Sequence, residues 1–375
     1  MSLATFAALD ATPRTAGGPS LTLVEGADAI WQVEAAWREL CGNGGASSAF
    51  QSFDVAVACA AAHAARGEVP RIVLARRSGR ATVIVPLVVT ELLKCRVLRF
   101  LGDPLIQYGD VIAAPDADGD DIVAAWALAA SPEAGALAFL RRVRDDARLS
   151  PHLGWQAAEI ATEESAVVDL RRDQVLPKNF VRELRRTSRR LNEQGKVDIH
   201  FYRGPKTKPL AAQAIALKRQ WLDERGLASA VIGNPVWERA IEEMSVRGAL
   251  AGAALLVDGR LAAAELALVD GACWYAFMGA FEKSFARMGP GQVLTEHILA
   301  GARDQGLAFY DPLPPAQSYK RIRATETIRV RDFALPLRPS GNLLAAAARL
   351  RPHLKAAFNG LSPAIRKTAL SMFGR

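Results

Sequence analysis

The chain has 375 residues, half of them apolar and 23% charged, which supplies a sizeable core and excludes wholesale disorder. A formal charge of +8 points to an anionic partner: nucleic acid, a phosphorylated ligand or an acidic membrane surface. No uncharged apolar stretch reaches the roughly 18–20 residues of a membrane span, and the start lacks the order of a signal peptide, so a cytoplasmic protein of about two domains is expected.

Residues 1–20 are Ala, Thr, Pro and Gly without periodicity and read as a loose leader. Ile30, Val33, Trp37 and Leu40 recur at helical spacing, and so do the apolar residues of Phe53 to Ala65. Arg71–Ala75 and Ala81–Val89 are β-branched runs around Ser78-Gly79-Arg80, a hairpin signal. A further strand over Val97–Leu101 leads into the loop Gly102-Asp103-Pro104, and residues 133–149 read as an amphipathic helix. About 180 residues on, Ala254–Val257, Asp258-Gly259-Arg260 and Leu261–Val269 reproduce the first hairpin, with Arg80 falling on Arg260 and Val89 on Val269. This predicts two related α/β halves divided near 165–178. Helices are expected over 210–225, 236–247 and 291–305, and a strand over Ala308–Tyr310.

Several motifs fail. The acidic run Asp116–Asp121 has no Gly at its sixth and no Glu at its twelfth position, so it reads as a turn and helix cap rather than a calcium loop. Gly42–Gly45 is followed by no Lys, and Glu296-His297 has no second His one turn on. Cys41, Cys59, Cys95 and Cys273 lie too scattered for a disulfide framework or a zinc site. No metal is expected.

One turn stands out. Arg287-Met-Gly289-Pro290-Gly291-Gln292-Val293 opens an amphipathic helix, so first-turn N–H groups would face solvent and suit a phosphate or pyrophosphate. It could equally be an ordinary helix start with Pro290 at the first position. The order strand, strand, glycine turn, helix, strand is how acyltransferases of the GNAT type hold the pyrophosphate of acyl-CoA. Leu176 to Phe333 resembles the FemAB/BioF2-like (CelD-like) branch of that superfamily, through Asn179–Leu191, Leu217–Gly226, Arg260–Glu265, Ala280–Leu294 and Gly306–Lys320. Val97–Ala114 resembles the degenerate first domain of the same branch. The turn departs from the common Q/R-x-x-G-x-G/A pattern in reading R-x-G-P-G, a form usual in this branch.

The resemblance implies an α/β (α+β) fold of two tandem GNAT-like domains with mixed sheets: a degenerate one at 21–165 and a catalytic one at 166–337. A basic C-terminal helical tail follows at 338–375. It implies acetyl-CoA as co-substrate at Arg287, Gly289, Gly291, Gln292 and Val293, and substrate contacts at Arg182, Arg185, Arg186, Trp221, Tyr108 and Tyr319. It also implies a role in exopolysaccharide or cellulose-type biosynthesis, acting on an amino sugar or a polysaccharide precursor. An aminoacyl transferase of the Fem type, or a non-catalytic nucleotide-binding effector that docks to membrane machinery, are the alternatives.

The residues themselves sharpen the catalytic assignment. Glu265 stands in the apolar run Ala262–Leu266, where an unpaired carboxylate is costly, and desolvation would raise its pKa toward that of a general base. The corresponding residue of the first half is Val85, so one half is active and the other a scaffold. Asp311 and Lys320 flank a Pro-rich loop that the resemblance places at the substrate cleft, where Lys320 could neutralise a phosphate or a developing oxyanion. Tyr275, Tyr310 or Tyr319 could return a proton to the leaving thiolate; Tyr275 is the one placed in the catalytic set.

Residues 171–190 hold eight basic residues against Asp173 and Glu183, either a solvated face or a wall for phosphates. No aromatic residues interleave with them, which argues against specific nucleic-acid binding. From Phe333 onward there are seven Lys/Arg and no acid, with Leu343, Ala347, Leu350, Leu354, Phe358 and Leu361 on one stripe broken at Pro352 and a second helix after Ser362-Pro363. Such a tail suits an anionic membrane surface, peripheral at its cytoplasmic face, or a signalling nucleotide, or packs on the body. These two segments carry more than the whole net charge. The remainder of the chain is slightly acidic.

Overall fold

The computed structural model describes residues 18–154 and 157–360, with backbone alone for 351–360. Most of the expected leader and the second tail helix lie outside these residues. The chain forms two compact units, one of residues up to Thr162 together with Arg331–Pro352, the other built on Glu163–Val330. The chain passes between them in β7 (Ala158–Asp169) and again in β13 (Glu326–Pro336). Residues 331–337, assigned from sequence to the second domain, therefore belong with the first.

The first unit runs β1 (Ser20–Glu25), α1 (Glu34–Gly42), α2 (Phe53–Ala64), β2 (Val69–Arg77), β3 (Arg80–Leu92), β4 (Cys95–Phe100), the short β5 (Ile112–Ala113), α3 (Gly119–Ala129) and β6 (Leu137–Arg144). β1 to β4 pair antiparallel in order, and β6 joins β4 in parallel. The acidic run caps α3, Asp118 accepting the Asp120 N–H. Residues 133–149 are not a helix: their centre is β6. Leu137–Leu140 are buried on both faces, and a doubly buried strand loses the alternation that separates it from a helix.

The second unit repeats this order as β8 (Val197–Arg203), α5 (Lys208–Arg225), α6 (Pro235–Val246), β9 (Leu250–Val257), β10 (Arg260–Val269), β11 (Cys273–Phe281), α7 (Pro290–Asp304) and β12 (Phe309–Asp311). β8 to β11 are antiparallel, β12 lies parallel to β11, and the end of β7 closes against β12. An added helix, α4 (Lys178–Gln194), precedes the repeat, and α8 (Ser318–Arg321) follows β12.

The duplication reaches fine detail. Both hairpins turn on consecutive left-handed residues, Ser78-Gly79 and Asp258-Gly259. Both carry an irregularity at the second residue after the shared Arg: the register slips between Ala81 and Val83 against β2, and between Leu261 and Ala263 against β9. Val85 faces Val73 as Glu265 faces Ala253, so the residue alignment made on sequence holds in space.

After β13 comes α9 (Gly341–Gly360), which continues through Pro352 rather than breaking there. Leu344 and Ala345 pack on Val97, Leu137, Phe139 and Ala334 of the first unit. The opposite side leaves Leu343 78% and Leu350 60% exposed. Part of the predicted stripe is thus outward-facing, while its neighbours anchor the helix. No helix among the described residues is long and apolar enough to cross a membrane.

Candidate functional site: a buried carboxylate beside a helix N-terminus

Glu265 sits mid-strand in β10, on the face shared by Ala263 and Ala267, and it is buried. That face is covered by α7 through Val293, Leu294, Ile298 and Leu299. The carboxylate accepts two side-chain hydrogen bonds: Trp274 Nε1 donates to Oε1 at 2.9 Å, and the Tyr310 hydroxyl donates to Oε2 at 3.0 Å. Trp274 and Tyr310 are partners across the parallel β11–β12 pair, which is why both reach one carboxylate. Burial pushes the Glu265 pKa up to about 7, against the pull of these two donors and of the Lys320 charge. A carboxylate so placed ionises where a general base must.

Of the three candidate tyrosines, the structure brings Tyr310 to the carboxylate. Burial and the Glu265 charge hold its phenol protonated, well above the ordinary range. Tyr275 is one residue on from Trp274, so its side chain leaves the opposite face of the strand and its hydroxyl donates to Asp270 at 3.0 Å. That geometry turns Tyr275 away from the Glu265 carboxylate. Asp311 pairs with Tyr275 in the register and likewise turns away from Glu265. It accepts from Ser165 Oγ at 2.5 Å and the Leu313 N–H at 2.8 Å, which orders the Pro-rich loop. Tyr319, 46% exposed, lies near enough for the Glu265 charge to raise its phenol, after burial. Lys320 spends Nζ on the carbonyls of Pro312 at 2.8 Å and Leu313 at 2.7 Å, so it clamps the loop while its charge steadies the carboxylate.

The glycine turn forms as its residues require. Gly289 caps α7 in the left-handed region at φ 51°, ψ 46°, a conformation that favours glycine, and Pro290 takes the first helical position. No atom lies within 4 Å of where a Gly291 Cβ would stand, leaving room for a ligand to approach the first-turn N–H groups. Arg287 is exposed beside the turn, whereas Val293 points inward to the core. Gln292 is drawn sideways, its Oε1 accepting from Arg323 Nη1 at 2.9 Å. α4 borders the turn: Thr187 Cγ2 would stand 3.4 Å from a Cβ on Gly289, and Leu184 and Leu191 pack into the core.

A family model described as an acetyltransferase (GNAT) domain matches residues 178–321, the segment that holds all of these groups except Ser165 and Arg323. That stretch is similar to a GNAT acetyltransferase domain. No curated protein matches the chain by sequence. Among solved structures, L-PGS from Bacillus licheniformis is similar at TM-score 0.57 and 15% identity, covering 85% of this chain and 96% of that one. The C-terminal domain of a protein described as a lysylphosphatidylglycerol synthetase from Agrobacterium fabrum follows at 0.56 and 13%, covering 85% and 95%. FemX aligns at 0.53 and 11%, covering 84% and 98%. At these identities the likeness is one of fold, shared over most of this chain.

The remaining predicted residues separate. Arg182, Arg185 and Arg186 are exposed on α4, Arg186 forked onto Glu183. Arg171 and Arg172 are consumed by Asp169, whose carboxyl they hold down to about 2, so the basic run is part structural. Trp221 lies on α5, its ring flanked by Lys218 at 4.6 Å and Arg225 at 4.3 Å. α5 packs, through Leu210, on the Gly252 and Leu266 face, opposite Glu265. Tyr108 is buried in the first unit against Phe50, with Arg144 over its ring. The residues that sequence reasoning missed are Trp274 and Arg323; a tryptophan nine residues after an isolated strand Glu was the available signal for the first.

Proposed function

We propose that this chain is an acyl-CoA-dependent N-acetyltransferase, with the amine of an amino sugar in an exopolysaccharide precursor as acceptor. The observation that carries the reading is the Glu265 carboxyl, poised at about 7 between Trp274 and Tyr310 beside the N-terminus of α7. Acetyl-CoA would lie with its pyrophosphate at the Gly289–Val293 turn, and the α4 arginines Arg182 and Arg185 would meet its outer phosphate. The acceptor nitrogen adds to the thioester carbonyl carbon and gives its proton to Glu265. Collapse of the tetrahedral intermediate breaks the carbon–sulfur bond, and the thiolate takes a proton, for which the half-exposed Tyr319 is the nearer phenol to solvent. An acceptor on a membrane-linked precursor is supported by exposed Leu343 and Leu350 on α9, within a segment rich in Lys and Arg and free of acids.

The reading is tested by acetyl transfer from acetyl-CoA to a panel of free and nucleotide-linked amino sugars. The pH profile supplies a finer check. Because the Lys320 charge holds Glu265 down, Lys320→Met is expected to move the rising limb of kcat/KM to higher pH. A limb that stays in place, or moves to lower pH, removes Lys320 from the electrostatics of the base.

A further inference from the structure

Arg323 lies two residues beyond α8, yet only 5% of it is exposed. Its Nε donates to Glu296 Oε1 at 2.6 Å, Nη1 donates to Gln292 Oε1 at 2.9 Å, and the guanidinium stacks 4.6 Å over the Phe180 ring. Nη2 is sealed from water and has no hydrogen-bond acceptor among the described residues. A buried donor left unpaired is costly, and such groups in folded proteins call for a reason.

Two features define what would satisfy it. Glu296 already balances the charge of the guanidinium, so the lacking element is an acceptor oxygen rather than a counter-ion. The location is also specific. Gln292 belongs to the first turn of α7, and the Arg323 charge eases ionisation of both Tyr310 and Tyr319, so the group lies between the donor-binding turn and the phenols around Glu265. Lys320, the other cation there, is engaged with the Pro312 and Leu313 carbonyls.

We propose that Arg323 Nη2 is the hydrogen-bond donor to the acyl carbonyl oxygen of the thioester, a catalytic role that rests on the acyl-transfer reading of the same site. When the amine adds to the carbonyl carbon, the carbon–oxygen π pair moves onto oxygen and the Arg323 N–H receives the charge. When the carbon–sulfur bond breaks, the pair returns and the thiolate departs. A neutralised Arg–Glu pair suits an oxygen that is uncharged in the ground state and gains charge only in the transition state. A permanent anion would find no net charge to meet.

The test uses the full chain and two probes: CoA, and the ketone analogue of acetyl-CoA in which CH2 replaces sulfur. Arg323→Lys keeps the charge but loses the planar fork. By calorimetry, the wild type is expected to bind the ketone at least about tenfold tighter than CoA. Arg323→Lys should bind CoA within roughly threefold of wild type and lose that preference. Its kcat should fall by about 10²–10³ with the KM for acetyl-CoA held, the pattern of a lost oxyanion donor. A preference retained in the variant overturns the proposal, as does loss of CoA binding itself, which would make Arg323 a support of the turn. Should Arg323→Lys fail to fold, the wild-type comparison still decides: equal affinity for the two probes overturns this proposal alone. Binding of neither probe overturns it together with the acyl-CoA reading.

Discussion

Glu265→Gln is expected to lower kcat/KM for acetyl transfer by roughly 10²–10⁴-fold, the span of a lost general base. The substitution keeps the volume of the side chain and an oxygen for Trp274 Nε1, so the packing of β10 under α7 should persist. What it removes is the proton acceptor. The proposed donor site at Gly289–Val293 is on a separate element, so the KM for acetyl-CoA should change little. The wild-type kcat/KM should rise with pH through about 7 and then level, and the variant profile should lose that limb. Thiol release followed across pH in both proteins checks both points. A full rate in the variant would remove Glu265 from the chemistry and leave it a buried structural group.

The second large effect is on stability, and it runs opposite to the usual carboxylate. Glu265 has a folded pKa of about 7 against an ordinary value of 4.5, so between these values the native state holds a proton that the unfolded chain has lost. Stability therefore falls as pH rises through that window, by up to about 3 kcal/mol above it. Glu265→Gln, neutral throughout, should gain on the wild type by a comparable amount at pH 8, less whatever the amide loses in hydrogen bonding. It should gain nothing below pH 4. Hydrogen exchange of the β10 and β11 amides, which report the second unit rather than the whole chain, is the appropriate readout. A variant less stable than wild type at pH 8 would mean that the carboxylate is stabilised as an ion. The expected gain in the variant would instead mark a base whose ionisation costs stability only above neutrality.

Much of the fold was legible because the informative signals are local. Both X-Gly-Arg turns demand left-handed residues at defined positions, and both hairpins formed with the predicted register offset of 180 residues. β6 was misread because burial on two faces erases the period that a half-buried strand displays. Glu265 was legible as a charge within an apolar run. Its proton partner was not, since Tyr275 and Tyr310 differ in a way only the sheet reveals: one residue of offset turns a side chain to the other face. The roles of Asp311 and Lys320 changed for a similar reason. Both flank the expected loop, but the hydrogen bonds shown hold that loop and do not reach the Glu265 carboxylate. Arg323 lies three residues past the end of the recognisable motif, and only tertiary structure brings it to Gln292 and Glu296. In the tail, helical spacing was correct, but the anchoring side is Leu344 and Ala345 rather than the longer stripe beside them.

The most direct test of the central claim is thiol release from acetyl-CoA by the full chain, with and without amino-sugar acceptors, with the product identified by mass spectrometry. The account predicts acceptor-dependent release, an acetyl group on the acceptor nitrogen, and collapse of both signals in Glu265→Gln. Release that no amine accelerates, or acyl transfer that proceeds only from aminoacyl-tRNA, would contradict it.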